Sequence, residues 1–467
     1  MSQRLTTDSR LWRIIIASAL AMFLVNLDFF AVQVALPDMS ADLNTTEANL
    51  QWVISGYMLS LAAFLIVAGR LADLLGRKTW MIAGISIFGL TSLLGGFATT
   101  AGMIIIMRIL QGVGAAILMP VCLAVVTNAF PAAKVQRAIG MVFGIAAIGQ
   151  AGGPLLGGLL TELASWRWVL WVNVPISVLV IYLTVTSVRQ SVAEGEEKRI
   201  DWLGLVLVVT AIGVFTFGID EAANWGWDSP LTWSFILGGL IVGAFFLLWE
   251  SRFRPPLMDL ALFRIREFSV MIGAGMAGNM TAVVAIFLSM IYLQSVEGFT
   301  PFQAGLAFMI YSGGITISAQ VAGRLERFTS WKVMVIALAT GGLGVIAMGL
   351  LTELIFWFLF TSLFAGLGLG MAWTYTNVVT QSVVPKAKAG AASGIVLTVL
   401  IGMGGVATAV ASSLTTTGIN AGGQAGDVIS NVLIGFGTFT LIFVPLVAFL
   451  GRQPTKQSQQ PSPTVGE

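Results

Sequence analysis

Residues 140–158 read GMVFGIAAIGQAGGPLLGG. In a helix, Gly149, Gly153 and Gly157 fall four residues apart and form one stripe without side chains, and Gly140 and Gly144 repeat that spacing earlier. A glycine stripe in an apolar helix lets a neighbouring helix approach backbone to backbone. Pro154 cannot donate to the carbonyl four residues before it, so the helix is expected to bend beside the stripe. Packing alone needs only small residues four apart; the spacing Gly140, Gly149, Gly153-Pro154, Gly157-Gly158 is denser than that.

The remainder of the chain is as apolar as this stretch. Of 467 residues, 57% are hydrophobic and 10% charged, with a mean hydropathy of +0.91. Soluble domains carry about 25% charged residues, so the composition is that of an integral membrane protein. The chain has no histidine, which removes imidazole catalysis, His metal sites and His proton relays. Cys122 is the only cysteine and cannot form an internal disulfide. No Gly-Lys-Ser/Thr phosphate loop, nucleophile–base pair or metal cluster is visible, so neither an enzyme nor a cofactor is expected. The N-terminal MSQRLTTDSRLWR lacks a cleavage pattern, so the first apolar segment reads as a retained span.

A spanning helix needs about 20 apolar residues. On that criterion the chain contains fourteen, near 14–36, 50–70, 79–98, 102–124, 137–161, 167–188, 202–219, 231–250, 268–293, 301–323, 332–350, 353–377, 390–416 and 429–450. Charge supports the count. With the N-terminus cytoplasmic and the spans alternating, 22 of the 24 Lys and Arg residues fall on the inner side, Arg167 lies outside and Arg108 lies within a span. Both ends are then cytoplasmic, and the polar 452–467 segment reads as a disordered tail.

The chain also repeats itself at an offset of 254. Gly69-Arg70-Leu71 returns as Gly323-Arg324-Leu325, Gly112 and Gly114 as Gly366 and Gly368, and Pro131, Ala133 and Lys134 as Pro385, Ala387 and Lys388. This predicts an all-α membrane protein with two parallel six-helix halves, 1–190 and 267–451, and a 191–266 linker that carries two extra spans. A binding site is expected at midplane between the halves. Pro154 maps onto Thr408 and Arg108 onto Ser362, so the intramembrane charges belong to the first half.

Asp28, in VNLDFFAVQVALP, is the acid deep in a span. An ionised carboxylate there costs several kcal/mol unless paired, solvated or protonated. Arg108, in MRILQGVGAA, is the base within a span. Asp28 is eight residues from the outer end of its span, roughly 12 Å at 1.5 Å per residue, and Arg108 sits at a similar depth. Sequence alone does not show that their faces meet. Polar and aromatic candidates for a central cavity are Asn26, Gln33, Trp52, Tyr57, Gln150, Asn279, Tyr311 and Tyr375.

Between spans two and three, Gly69, Asp73, Gly76, Arg77 and Lys78 form a loop similar to the signature loop of the major facilitator superfamily. LDFFAVQVALP, RILQGVGAA, the Gly/Pro stripe and SWRWVLWVNVPI resemble, in turn, the 14-span drug:proton antiporters of that superfamily, the stripe being its antiporter motif. The segments IDWLG and PPLMDLALF beside the extra spans fit the same branch. The resemblance covers nearly the whole chain. It implies proton coupling at Asp28 and Arg108, and inner-side gating by Asp73, Arg77 and Lys78. FFAV after Asp28 departs from the family's Thr and branched residues. The function implied is proton-coupled efflux of lipophilic, often cationic drugs across a bacterial inner membrane, hence antibiotic resistance. The alternatives are a dedicated exporter of one metabolite or self-made antibiotic and, more remotely, a non-transporting receptor. The expected partners are a small-molecule substrate, protons and the lipid bilayer, with no nucleic acid, and the expected state is a monomer.

Overall fold

The computed structural model describes residues 2–191, 201–253, 256–258, 260–322, 329–384 and 389–451. The expected tail at 452–467 and the second-copy loop at 323–328 lie outside them, as does most of the linker between spans six and seven. Among the described residues there is no strand.

The helices are α1 (Ser2–Asp42), α2 (Trp52–Leu75), α3 (Arg77–Gly95), α4 (Ala101–Ala129), α5 (Ala132–Leu163), α6 (Arg167–Ser187), α7 (Trp202–Trp225) and α8 (Pro230–Glu250). They continue as α9 (Arg266–Ile291), α10 (Pro301–Ala322), α11 (Ser330–Leu350), α12 (Ile355–Ser382), α13 (Ala389–Asn420) and α14 (Ala425–Gly451). Among the described residues twelve helices are long and apolar enough to cross a membrane. The other two expected spans are also helical, α2 over 24 residues and α10 over 22. In α2 residues 52–69 carry no charge, and Arg70 and Asp73 follow before the helix ends.

Packing repeats itself along the chain. α1 lies on α5 and α6, and α4 on α2 and α3; likewise α9 lies on α13 and α14, and α12 on α10 and α11. The two bundles meet along two seams, α5 against α10 and α2 against α13. At the first seam the backbones touch. A Cβ on Gly158 would collide with Pro301 O, and one on Gly305 with Pro154 O. Glu162 accepts the Phe302 N–H at 3.2 Å, and Gln294 Nε2 donates to Val34 O at 2.9 Å. At the second seam Met58, Leu59 and Ala62 face Gly404, Gly405 and Gly402.

α7 and α8 form a hairpin on the α2–α13 seam. Ile219 and Ile236 join Leu59, Val406 and Ala409 in one apolar cluster there. Elsewhere the hairpin exposes many large apolar side chains, among them Leu203, Val206, Leu237, Leu240, Ile241 and Phe245, as expected of a surface solvated by lipid.

Candidate functional site

The glycine stripe does what its spacing predicts, and its partner is α1. A Cβ on Gly149 would come within 2.5 Å of Phe23 O, on Gly153 within 2.9 Å of Leu27 O and Phe30 Cβ, and on Gly157 within 2.5 Å of Ala31 O. These contacts fix the face of α1 that carries Asp28. Pro154 continues within α5, and its freed neighbourhood abuts α10. Gly140 belongs to the same helix, but its surroundings fall outside the described residues.

Asp28 is fully buried, and the first bundle closes around it. Arg108 Nη1 donates to Asp28 Oδ2 in a buried ion pair. Gln111 Nε2 and Asn173 Nδ2 donate to Asp28 Oδ1 at 3.0 and 2.6 Å. Ser92 Oγ accepts from the same two amides, at 2.6 and 3.3 Å. Arg108 also donates to Gln111 Oε1 at 2.7 Å and, through Nε, to Val53 O at 3.0 Å. Its guanidinium lies 4.3 Å over the Tyr57 ring. α4 and α6 thus reach the Asp28 carboxylate of α1 directly, and α2 and α3 hold the groups that do.

Local structure explains the convergence. Gln111 follows Arg108 by three residues, on the same face of α4. α6 breaks at Val172, and Pro175 lacks the N–H that a continuous helix would use, so Asn173 starts a new segment with its side chain inward. A charge pair this deep survives because its remaining lone pairs and protons find partners. Even so, Arg108 Nη2, Tyr57 Oη and Asn173 Oδ1 are buried without a hydrogen-bond partner, so polar capacity remains beside the carboxylate. Asn173→Leu would remove one hydrogen bond to a charged group, worth about 1.5–3 kcal/mol. Melting of the purified protein should register that loss, with coupled flux reduced but measurable.

The other candidates divide. Tyr57 belongs to the centre and stacks on Phe29 at 6.0 Å, while Phe30 reaches Phe308 of α10 at 6.2 Å. Tyr311 continues that line, stacked on Phe308 at 5.4 Å. Asn26 and Gln33 donate to carbonyls of their own helix, and Gln33 Oε1 is buried without a partner. Asn279 ties α9 to α13 through Leu400 O at 2.7 Å. Trp52 turns toward Phe217 of the hairpin, Tyr375 lies inside an apolar cluster of the second bundle, and Gln150 is half-buried. A groove of about 560 Å³, lined by Met280, Val410, Leu414, Val428, Asn431 and Phe439, lies within the second bundle and touches none of the expected residues.

The loop between α2 and α3 is clamped. Gly76 takes φ 105°, which favours glycine. Gln190 Oε1 accepts the Lys78 N–H at 3.1 Å, and its Nε2 donates to Thr79 Oγ1 at 2.8 Å. Lys78 Nζ donates to Val185 O at 2.7 Å, and Arg77 N to Ser191 O at 3.0 Å. Gly69 lies against Pro120 of α4. The Asp73 side chain falls outside the described residues. Sequence reasoning missed Gln111, Asn173, Ser92 and Gln190; the first two stand inside the quoted motifs RILQGVGAA and WVNVPI, which was their signal.

The model of the Major Facilitator Superfamily matches residues 18–409 and 270–466. The Multidrug resistance protein Stp of Mycobacterium tuberculosis is 35% identical over 388 residues, 82% of this chain and 71% of that one. The Cephamycin export protein CmcT of Amycolatopsis lactamdurans is 33% identical over 463 residues, 94% and 93% of the two chains. The crystal structure of the nucleoside transporter NupG superposes with a TM-score of 0.67 at 14% identity, covering 94% of this chain and 99% of that one.

Proposed function

We propose that this chain, which belongs to the Major Facilitator Superfamily, is a multi-pass protein of the bacterial cell membrane that exports lipophilic, often cationic compounds in exchange for protons. The observation that carries the reading is the buried Asp28–Arg108 pair with its two amide donors. A carboxylate held between a cation and neutral donors can exist charged or protonated, and a group with two such states can exchange a proton for cargo. The names of the relatives, a multidrug resistance protein and a cephamycin exporter, support efflux.

In this reading the fourteen helices cross the membrane with both termini cytoplasmic. The halves 1–190 and 267–451 rock about a midplane site, and 191–266 supplies the extra pair. Asp28 and Arg108 couple the proton; Asp73, Arg77 and Lys78 gate the inner side. Touching backbones at Gly158 and Gly305 correspond to a state closed on the outside. Phe29, Phe30, Phe308 and Tyr311 form the aromatic row against which flat cationic cargo stacks once the bundles part.

pH-gradient-driven ethidium flux in proteoliposomes tests this. Flux of ethidium and of chemically unrelated cations is expected. Movement of one compound alone from a panel would establish the dedicated exporter instead. Tight binding without any flux would establish the receptor.

A further inference from the structure

We propose that Asp201 and Glu250 form a second proton-binding site, remote from Asp28, which clasps the segment carrying Leu257 and Met258 between the inner ends of α2 and α13. Asp201 caps the start of α7, and Glu250 ends α8, so the hairpin brings together two acids 49 positions apart in sequence. Both are buried, 2% and 1% exposed.

The two carboxyls are satisfied unequally. Asp201 Oδ1 accepts the Gly204 N–H at 2.8 Å, and both its oxygens accept the Trp249 indole N–H at 2.9 Å. That donor set suits an anion. Glu250 Oε1 accepts the Met258 N–H and the Leu257 N–H lies close by, whereas Oε2 is buried without a hydrogen-bond partner; the Glu250 and Asp201 carboxyls are neighbours. Two adjacent buried carboxylates cannot both ionise cheaply, and a pair of this kind holds one proton between them. The unequal donors put that proton on Glu250, whose O–H then donates to Asp201.

What faces the pair completes the argument. α2 and α7 present Phe64, Val67, Leu71, Leu205 and Val209 around Leu257. From α9 and α13, Phe268, Ile272, Ala392 and Val396 surround Met258 and Leu262. The side chains packed on Leu257 and Met258 are thus apolar. Among the described residues Asp201 is the ionisable group that acts on Glu250, and Arg252, two residues further on, is exposed. The connecting segment therefore has one foot on each bundle, and the backbone N–H of Met258 is fastened to the carboxyl that holds the proton. Loss of that proton leaves two negative charges side by side in an apolar surround, so the clasp loosens as pH rises. The clasp serves the transport cycle proposed above, but its proton occupancy can be read without transport.

The test is infrared spectroscopy of the purified full chain, recorded for wild type, Glu250→Gln and Asp28→Asn. A carbonyl band of a neutral carboxylic acid should be present in wild type and in Asp28→Asn, and lost in Glu250→Gln, which keeps an acceptor for Met258. In a Cys122→Ala background with an added oxidant, disulfide formation between Val67→Cys and Leu257→Cys, which thiolate chemistry itself speeds as pH rises, should fall increasingly behind with Glu250 present relative to Glu250→Gln. A spectrum unchanged by Glu250→Gln, or cross-linking with the same pH dependence in both proteins, overturns the proposal. Failure of ethidium flux alone would count against the export reading and leave this pair standing.

Discussion

Asn in place of Asp28 is expected to abolish pH-gradient-driven ethidium flux while the protein still inserts. The substitution keeps the shape of the side chain, and Gln111 and Asn173 can reorient their amides toward it. What it removes is the negative charge opposite Arg108 and the group that could take up a proton. Breaking a buried pair by removing one partner costs about 3–5 kcal/mol. Here part of that is offset, because Arg108 retains Gln111 Oε1, Val53 O and the Tyr57 ring. The variant should therefore melt earlier yet remain folded, with flux at the level of empty vesicles. Equal flux in both proteins would make Asp28 a structural residue and move coupling elsewhere.

Gly153→Leu is expected to do comparable damage by a different route. The Cβ alone would lie 2.9 Å from Leu27 O and Phe30 Cβ, inside van der Waals contact, and the rest of the leucine has nowhere to go. Overpacking a close-packed site costs typically about 1–3 kcal/mol, and here it would push α1 away from α5 one residue before Asp28. Transport should fall at least about tenfold, the rate equivalent of 1.4 kcal/mol, with membrane insertion unaffected. Gly152→Ala is the matched control. A Cβ at Gly152 meets nothing within 4 Å, so its flux should be that of the wild type. Flux through Gly153→Leu at the Gly152→Ala level would mean that α1 and α5 can separate without consequence.

The sequence made the membrane class and the helices legible because length and hydropathy act locally along the chain. The glycine stripe was legible for the same reason: spacing four apart defines a face before any partner is known. Asp28 and Arg108 stood out because charge in an apolar span is costly wherever it points. Their pairing was a matter of rotation about two helix axes, which depth along the axis does not encode. Gln111, Asn173 and Ser92 were harder, since a neutral polar side chain in a span can bond to its own backbone, as Asn26 does. Trp52 misled for a related reason. An aromatic near the end of a helix looks alike whether it faces cargo, lipid or, as here, the inserted hairpin. Nothing in the pattern of α7 and α8 distinguished the side touching protein from the side touching lipid.

The position of that hairpin gives the molecule a front and a back in the plane of the bilayer. Two bundles alone would offer a lipid-dissolved compound a doorway at either seam. With α7 and α8 laid over the α2–α13 seam, that doorway is covered, and in the export reading sideways entry is left to the α5–α10 side. A compound diffusing in the membrane must then find the right side of the protein before it finds the site, and the capture rate depends on how much of that one face neighbouring proteins leave free.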